Sequence, residues 1–120
     1  MQYLALIYGN EGAWEAMSPE DESAVMQQYY AFSQEGTEAG VIAGGNELDS
    51  TSTATTVRVR NDETLVTDGP FAELKESLGG YFVFECDSID DACRWAAKIP
   101  GASHGAIEVR PLYVDGGEQS

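Results

Sequence analysis

Basic residues are scarce in this chain: six Lys and Arg stand against 21 Asp and Glu, leaving a formal net charge of −15. A surface that negative repels the phosphates of nucleic acid and the headgroups of anionic lipid, which argues against direct binding to either. Arg58 and Arg60 form a small basic pair, but no aromatics interleave with them, and they read as the solvated face of a strand. No apolar run approaches the roughly 20 residues that cross a bilayer. The first residues read as an amphipathic strand rather than a targeting segment, so the expected location is cytoplasmic.

Other scarcities narrow the chemistry. The two cysteines, Cys86 and Cys93, are too few and too widely spaced for a disulfide framework or a metal site, and both read as core-packing residues. The single histidine, His104, falls in the glycine-bounded loop Gly101–Gly105 and reads as solvent-exposed. With one histidine and no clustered ligands the expected metal is none. No phosphate-cradling glycine loop, nucleophile elbow or cofactor fingerprint occurs, so no cofactor is expected either.

What is present reads as a single domain over residues 1–114, followed by a polar tail at 115–120. A chain of this size buries roughly two thirds of the surface its unfolded form exposes, enough for one core. Residues 2–8 alternate as a strand. Ser18 then caps a helix with Pro19 at its first position and Asp21 three residues after the cap. Val25, Met26, Tyr29, Tyr30 and Phe32 form its apolar stripe, and the helix ends by Gly36 or Gly40. Val41–Leu48 reads as a second strand, and Thr53–Arg60 with Glu63–Thr67 as a hairpin turning at Asn61-Asp62. Gly80–Cys86 is the strongest strand signal. Ser88 starts a second helix through Ala92, Trp95, Ala96 and Ile99, stopped by Pro100-Gly101, and Ala106–Val114 closes the sheet. This order predicts an α+β fold: a ferredoxin-like sandwich with a β-hairpin insertion.

Two helices cover one side of such a sheet, yet both sides are apolar. Leu4, Leu6 and Tyr8 alternate with Tyr3, Ala5 and Ile7, and Phe82 and Phe84 alternate with Tyr81 and Val83. An uncovered apolar face of that size costs solubility, so the sequence predicts a homodimer, most simply with two-fold symmetry.

The candidate site residues come from two places. Asp68-Gly69-Pro70-Phe71 sets a carboxylate at a forced bend between apolar runs, because Gly tolerates unusual dihedrals and Pro fixes φ. Asp68 reads either as a general base or as a cap for a short helical turn through Phe71–Glu76. Glu73, Lys75 and Glu76 read as solvated charges. Glu108 and Arg110, two apart on a strand, project from one sheet face. They read either as a carboxylate clamp, with Arg110 holding the anion and Glu108 orienting it, or as a structural ion pair. Tyr81 and Phe71 read either as the apolar wall of the same cavity or as core.

The bend, together with Tyr3–Tyr8, Trp14 before Ser18-Pro19-Glu20, Thr55–Arg60 and Glu108-Val109-Arg110-Pro111, resembles the DGPF-type branch of the YCII-related proteins. The resemblance implies a dimeric α+β barrel in which two sheets face one another and pockets lie near the interface. Relatives are thought to pair a histidine on the first helix with an aspartate. The first helical stretch here has no histidine, so that mechanism is not carried over. Two functional expectations follow from the residues and the resemblance together. One is a cofactor-independent isomerase or lyase acting on a small carboxylic or lactone-like compound, with Asp68 moving a proton. The other is a non-catalytic ligand-sensing or protein-interaction dimer, linked to regulation because members of the branch are often encoded beside sigma factors.

Overall fold

The computed structural model describes residues 1–114, and the polar tail expected at 115–120 lies outside them. Strand β1 (Gln2–Gly9) leads through a short helix α1 (Glu11–Glu15) to the long helix α2 (Pro19–Glu38) and strand β2 (Ile42–Glu47). Strands β3 (Thr55–Arg60) and β4 (Glu63–Asp68) form a hairpin. Strand β5 (Ser77–Glu85), helix α3 (Ile89–Ala96) and strand β6 (Ala106–Pro111) complete the order. The main sheet runs β2-β5-β1-β6, and every neighbouring pair in it is antiparallel. This mixed α+β arrangement is compatible with a ferredoxin-like fold. Among the described residues no helix is long and apolar enough to cross a membrane.

Local chemistry explains the boundaries. Ser18 and Ser88 each accept a hydrogen bond from the backbone N–H three residues on, at 3.1 and 3.2 Å, which satisfies one orphan donor at the start of α2 and of α3. Acids crowd both first turns, where the helix dipole favours them. At the end of α2, Val41 N–H donates to Gly36 and Gly40 N–H to Thr37, with Gly40 at φ +74°. Those two bonds are a Schellman stop, which needs the left-handed conformation that glycine supplies without strain. The hairpin turns at Asn61 and Asp62, both at positive φ, as a tight two-residue connection matched to strand twist requires.

The core lies between the helices and one side of the sheet. Tyr3, Ala5, Phe32, Phe84, Ala92, Ala96 and Ile99 are buried there, with Ile7, Phe82, Trp95, Ile107 and Val109 packed around them. Phe32 of α2 meets Phe82 edge-on at 5.2 Å between ring centroids and Trp95 at 6.3 Å. Gly36 is buried because α2 approaches β2 closely there, and a Cβ would collide with Ile42.

Several expectations are corrected in detail. Tyr30, assigned to the buried stripe of α2, is 70% exposed, and Gly36 holds a place on the packed face instead. A helix repeats every 3.6 residues, so Tyr29 and Tyr30 point about 100° apart and only one of them faces the sheet. Cys93, expected in the core, is exposed; Ala92 and Ala96 carry the packed face of α3, while Cys86 is buried as expected. Helix α3 ends at Ala96 rather than running through Ile99. Residues 71–76 form no helix, so no helical turn follows the Gly69-Pro70 bend.

Candidate functional site

The side of the sheet away from the helices carries the polar candidates. Directly paired residues of neighbouring strands share a face, so register fixes the layout. One row across the sheet reads Asn46, Tyr81, Leu6, Glu108; the next reads Gly44, Val83, Leu4, Arg110. Tyr8 and Leu78 continue the apolar surface toward the end of β1. This face is the opposite one from Tyr3, Ala5 and Phe84, as the alternation along β1 and β5 dictates.

Within it, the Arg110 guanidinium donates through Nε to Glu108 Oε2, and the Asn46 amide donates to the Tyr81 hydroxyl at 3.3 Å. Arg110 stays 69% exposed at its side chain, so most of its fork is open to a second acceptor. The arrangement is an apolar floor of Leu4, Leu6 and Val83 with a cation at one side and a phenol-amide pair at the other. The chemistry it offers is recognition of a small anion that also has an apolar body.

Asp68 and Phe71 stand elsewhere. Asp68 ends β4, opposite Thr55, and is exposed; among the described residues its carboxylate accepts no hydrogen bond and joins no ion pair. The bend itself is held by its backbone: Gly69 N–H donates to Ala54 at 2.7 Å, and Thr56 Oγ1 donates to the Gly69 carbonyl at 2.8 Å. Gly69 has φ +98°, which explains the glycine after the aspartate. Phe71 is 73% exposed, so it is not part of the core of its own chain. No hydrogen bond or ion pair links Asp68 to Tyr81, Glu108 or Arg110 within one chain. His104 is exposed, as its loop implied. Among the described residues no group of three or more His, Cys, Asp or Glu is placed to hold a metal ion.

One carboxylate escaped the sequence reading. Glu11, just after β1, accepts hydrogen bonds from Ser50 Oγ at 2.6 Å, Thr51 N–H at 3.1 Å, Thr51 Oγ1 at 3.3 Å and Ser77 Oγ at 3.5 Å. It ties the loop that leads into β3 to the end of the main sheet. The bonds from Ser50 and the Thr51 backbone hold its carboxyl below the ordinary 4.5, outweighing the opposite effect of desolvation. A carboxylate with a depressed folded-state pKa stabilises the fold above its unfolded value, and that contribution disappears as pH falls through the folded one. Urea midpoints of wild type and Glu11→Gln should therefore differ by a constant amount above about pH 5 and converge as the pH drops below 4.5. A gap that ignores pH would mean that the charge on Glu11 is irrelevant.

The fold and this face define a small α+β domain with an uncovered, partly polar sheet surface. The chain belongs to the YCII-related domain family, whose model matches residues 1–114. It is also 40% identical over 116 residues to a protein of Rhizobium meliloti (strain 1021) called Uncharacterized protein R00369, covering 95% of this chain and 94% of that one.

Proposed function

We propose that the protein binds a small carboxylate-bearing compound on the open face of its main sheet, within a homodimer whose two sheets face one another as a dimeric α+β barrel around the pockets. The observation that carries this is the placement of Arg110, Glu108, Tyr81 and Asn46 on an otherwise apolar face. A charged fork on an apolar floor suits a ligand that is anionic at one end and aromatic or unsaturated at the other. A covering second copy excludes water and strengthens the Arg110 contact, because the effective dielectric falls.

In this reading Arg110 takes the ligand carboxylate and Glu108 orients the guanidinium, while Tyr81 and Asn46 set the position of the ligand's polar edge. Cofactor-independent isomerisation or elimination is the reaction type such groups serve once a base is added, and Asp68 is the candidate base. Asp68 is exposed and, among the described residues, has no hydrogen-bond partner to tune it as a base, so the site supports binding more directly than catalysis. A ligand-sensing dimer with a regulatory protein partner uses the same face without Asp68.

A thermal-shift screen of small carboxylates, lactones and phenolics tests the site. A ligand that binds only the native state raises the melting temperature by mass action. Arg110→Gln should weaken a carboxylate hit by about tenfold or more, the scale of one lost charge-assisted hydrogen bond. Equal stabilisation of wild type and Arg110→Gln would sink the anion-binding role, and retention of the hit in Asp68→Asn would separate binding from proton transfer.

A further inference from the structure

We propose that the ligand of the open face is a monocarboxylate whose opposite end carries a neutral hydrogen-bond acceptor, a carbonyl above all, and that Tyr81, steadied by Asn46, is the donor that selects it. The proposal rests on the reading of Arg110 as the carboxylate's partner and adds what lies at the ligand's other end. The Asn46 amide donates to the Tyr81 hydroxyl oxygen at 3.3 Å, and among the described residues the phenol makes no other hydrogen bond. A phenol has one hydrogen to give and two lone pairs to receive with. The amide occupies a lone pair and leaves the hydrogen free, and a donor into that oxygen polarises the O–H and strengthens it as a donor. The ring is half-buried on β5, so both ring and hydroxyl are placed before a ligand arrives, and little freedom is lost when one does.

Register sets the length of the ligand. Tyr81, Leu6 and Glu108 form one row across β5, β1 and β6. Neighbouring strands lie about 4.8 Å apart, which separates Tyr81 from Glu108 by about 9.6 Å. Arg110 folds back on Glu108 through its Nε bond, bringing the guanidinium toward that row. With about 2.8 Å for each hydrogen bond, the ligand's two oxygen ends stand about 4 Å apart when both bonds run along the sheet and about 10 Å apart when both rise upright from it. One six-membered ring with an oxygen group at each end falls within that range. Leu6 lies beneath such a ring, with Leu4 and Val83 in the next row, so the apolar body rests on an apolar floor between two polar ends.

Charge decides that the far end is neutral. The four strands of the main sheet contain a single basic residue, Arg110. Its partner Glu108 already neutralises it, so the pair has attraction for one carboxylate and none to spare. A second carboxylate beside Tyr81 would meet a phenol and an amide but no cation, in a chain of net charge −15. The phenol offers only its hydrogen, so the neutral group it selects is an acceptor. Keto acids and lactone acids meet both conditions, and dicarboxylates fail the second.

Titration calorimetry with para-acetylbenzoate, para-isopropylbenzoate and terephthalate tests this on wild type, Arg110→Gln, Tyr81→Phe and Tyr8→Phe, with circular dichroism reporting each fold. The isopropyl acid has a similar shape without the acceptor, and terephthalate puts a second carboxylate there. Tyr81→Phe should lower affinity for the acetyl acid relative to the isopropyl acid by about three- to tenfold, the scale of one neutral hydrogen bond. A ratio of two ligands cancels effects of the substitution on the fold and on the floor they share. Tyr8 is on the same face but a row further from Arg110, beside Ala106, and Tyr8→Phe should leave the ratio unchanged. Terephthalate should bind wild type at least about tenfold more weakly than the acetyl acid, since like charges brought together are costly. If neither monocarboxylate binds wild type, or Arg110→Gln binds them equally well, the anion site falls and this inference with it. If binding needs Arg110 but the ratio ignores Tyr81→Phe, or moves as far in Tyr8→Phe, or terephthalate matches the acetyl acid, the carboxylate site stands and the role given to Tyr81 falls.

Discussion

Phe84→Ala should cost about 3–5 kcal/mol of folding stability, the usual range when a fully buried aromatic is truncated. Phe84 has 0% relative exposure, stacks on Phe82 at 6.0 Å and lies 6.3 Å from Phe32 between ring centroids. It sits on β5, between β2 and β1, so the cavity left behind opens beneath the middle of the sheet rather than at its rim. Its neighbours cannot close that space cheaply. Ala5 is too small to follow, and Phe32 is already held edge-on by Phe82 and Trp95. The melting temperature should fall by roughly 10–20 °C. Tyr30→Ala is the matched control: that ring is 70% exposed on α2, and its loss should stay within about 0.5 kcal/mol. Comparable losses in the two variants would mean that the face of α2 has been assigned wrongly.

The contrast between those two aromatics shows what the sequence discloses and what it withholds. Features with a short-range cause were legible: the Ser18 and Ser88 caps, the Asn61-Asp62 turn and the alternation along β1 and β5 each follow from neighbouring residues. Helix phase was less legible, because adjacent apolar residues such as Tyr29 and Tyr30 satisfy a loose stripe equally well until packing chooses one. The same applies to Cys93, which follows the buried Ala92 on α3. The Asp68 bend advertised itself through Gly and Pro, but composition alone does not say whether a bend faces inward or outward. Glu11 was invisible for a different reason. Its partners lie 39, 40 and 66 residues away, and none of them carries a charge or motif that marks it as a partner. Glu108 and Arg110 were placed on one strand face from their spacing, whereas Asn46 joined them only through the β2–β5 register.

If the protein is the dimer proposed above, Leu6→Asp should turn it into a monomer while leaving the fold of each chain intact. Leu6 sits at the centre of the open face, between Tyr81 on β5 and Glu108 on β6, and it points away from the helix-covered core. In a lone chain an aspartate there stays in contact with water and costs little. In a dimer whose sheets face one another it is desolvated, and its in-register neighbour Glu108 repels it rather than pairing with it. Two-fold symmetry doubles the penalty, since each interface contains the substitution twice. The dissociation constant should rise by at least about 100-fold, equivalent to roughly 2.8 kcal/mol. Ser23→Asp, which adds the same charge to an exposed position of α2, separates the local effect from the extra net charge. If Leu6→Asp dimerises like wild type in sedimentation, the open face is not the covered one. The Arg110 site would then be an open surface, and small carboxylates would gain nothing from exclusion of water. If the dimer dissociates and carboxylate stabilisation disappears with it while the chain stays folded, then the ligand site and the interface are one structure, assembled only when two sheets meet.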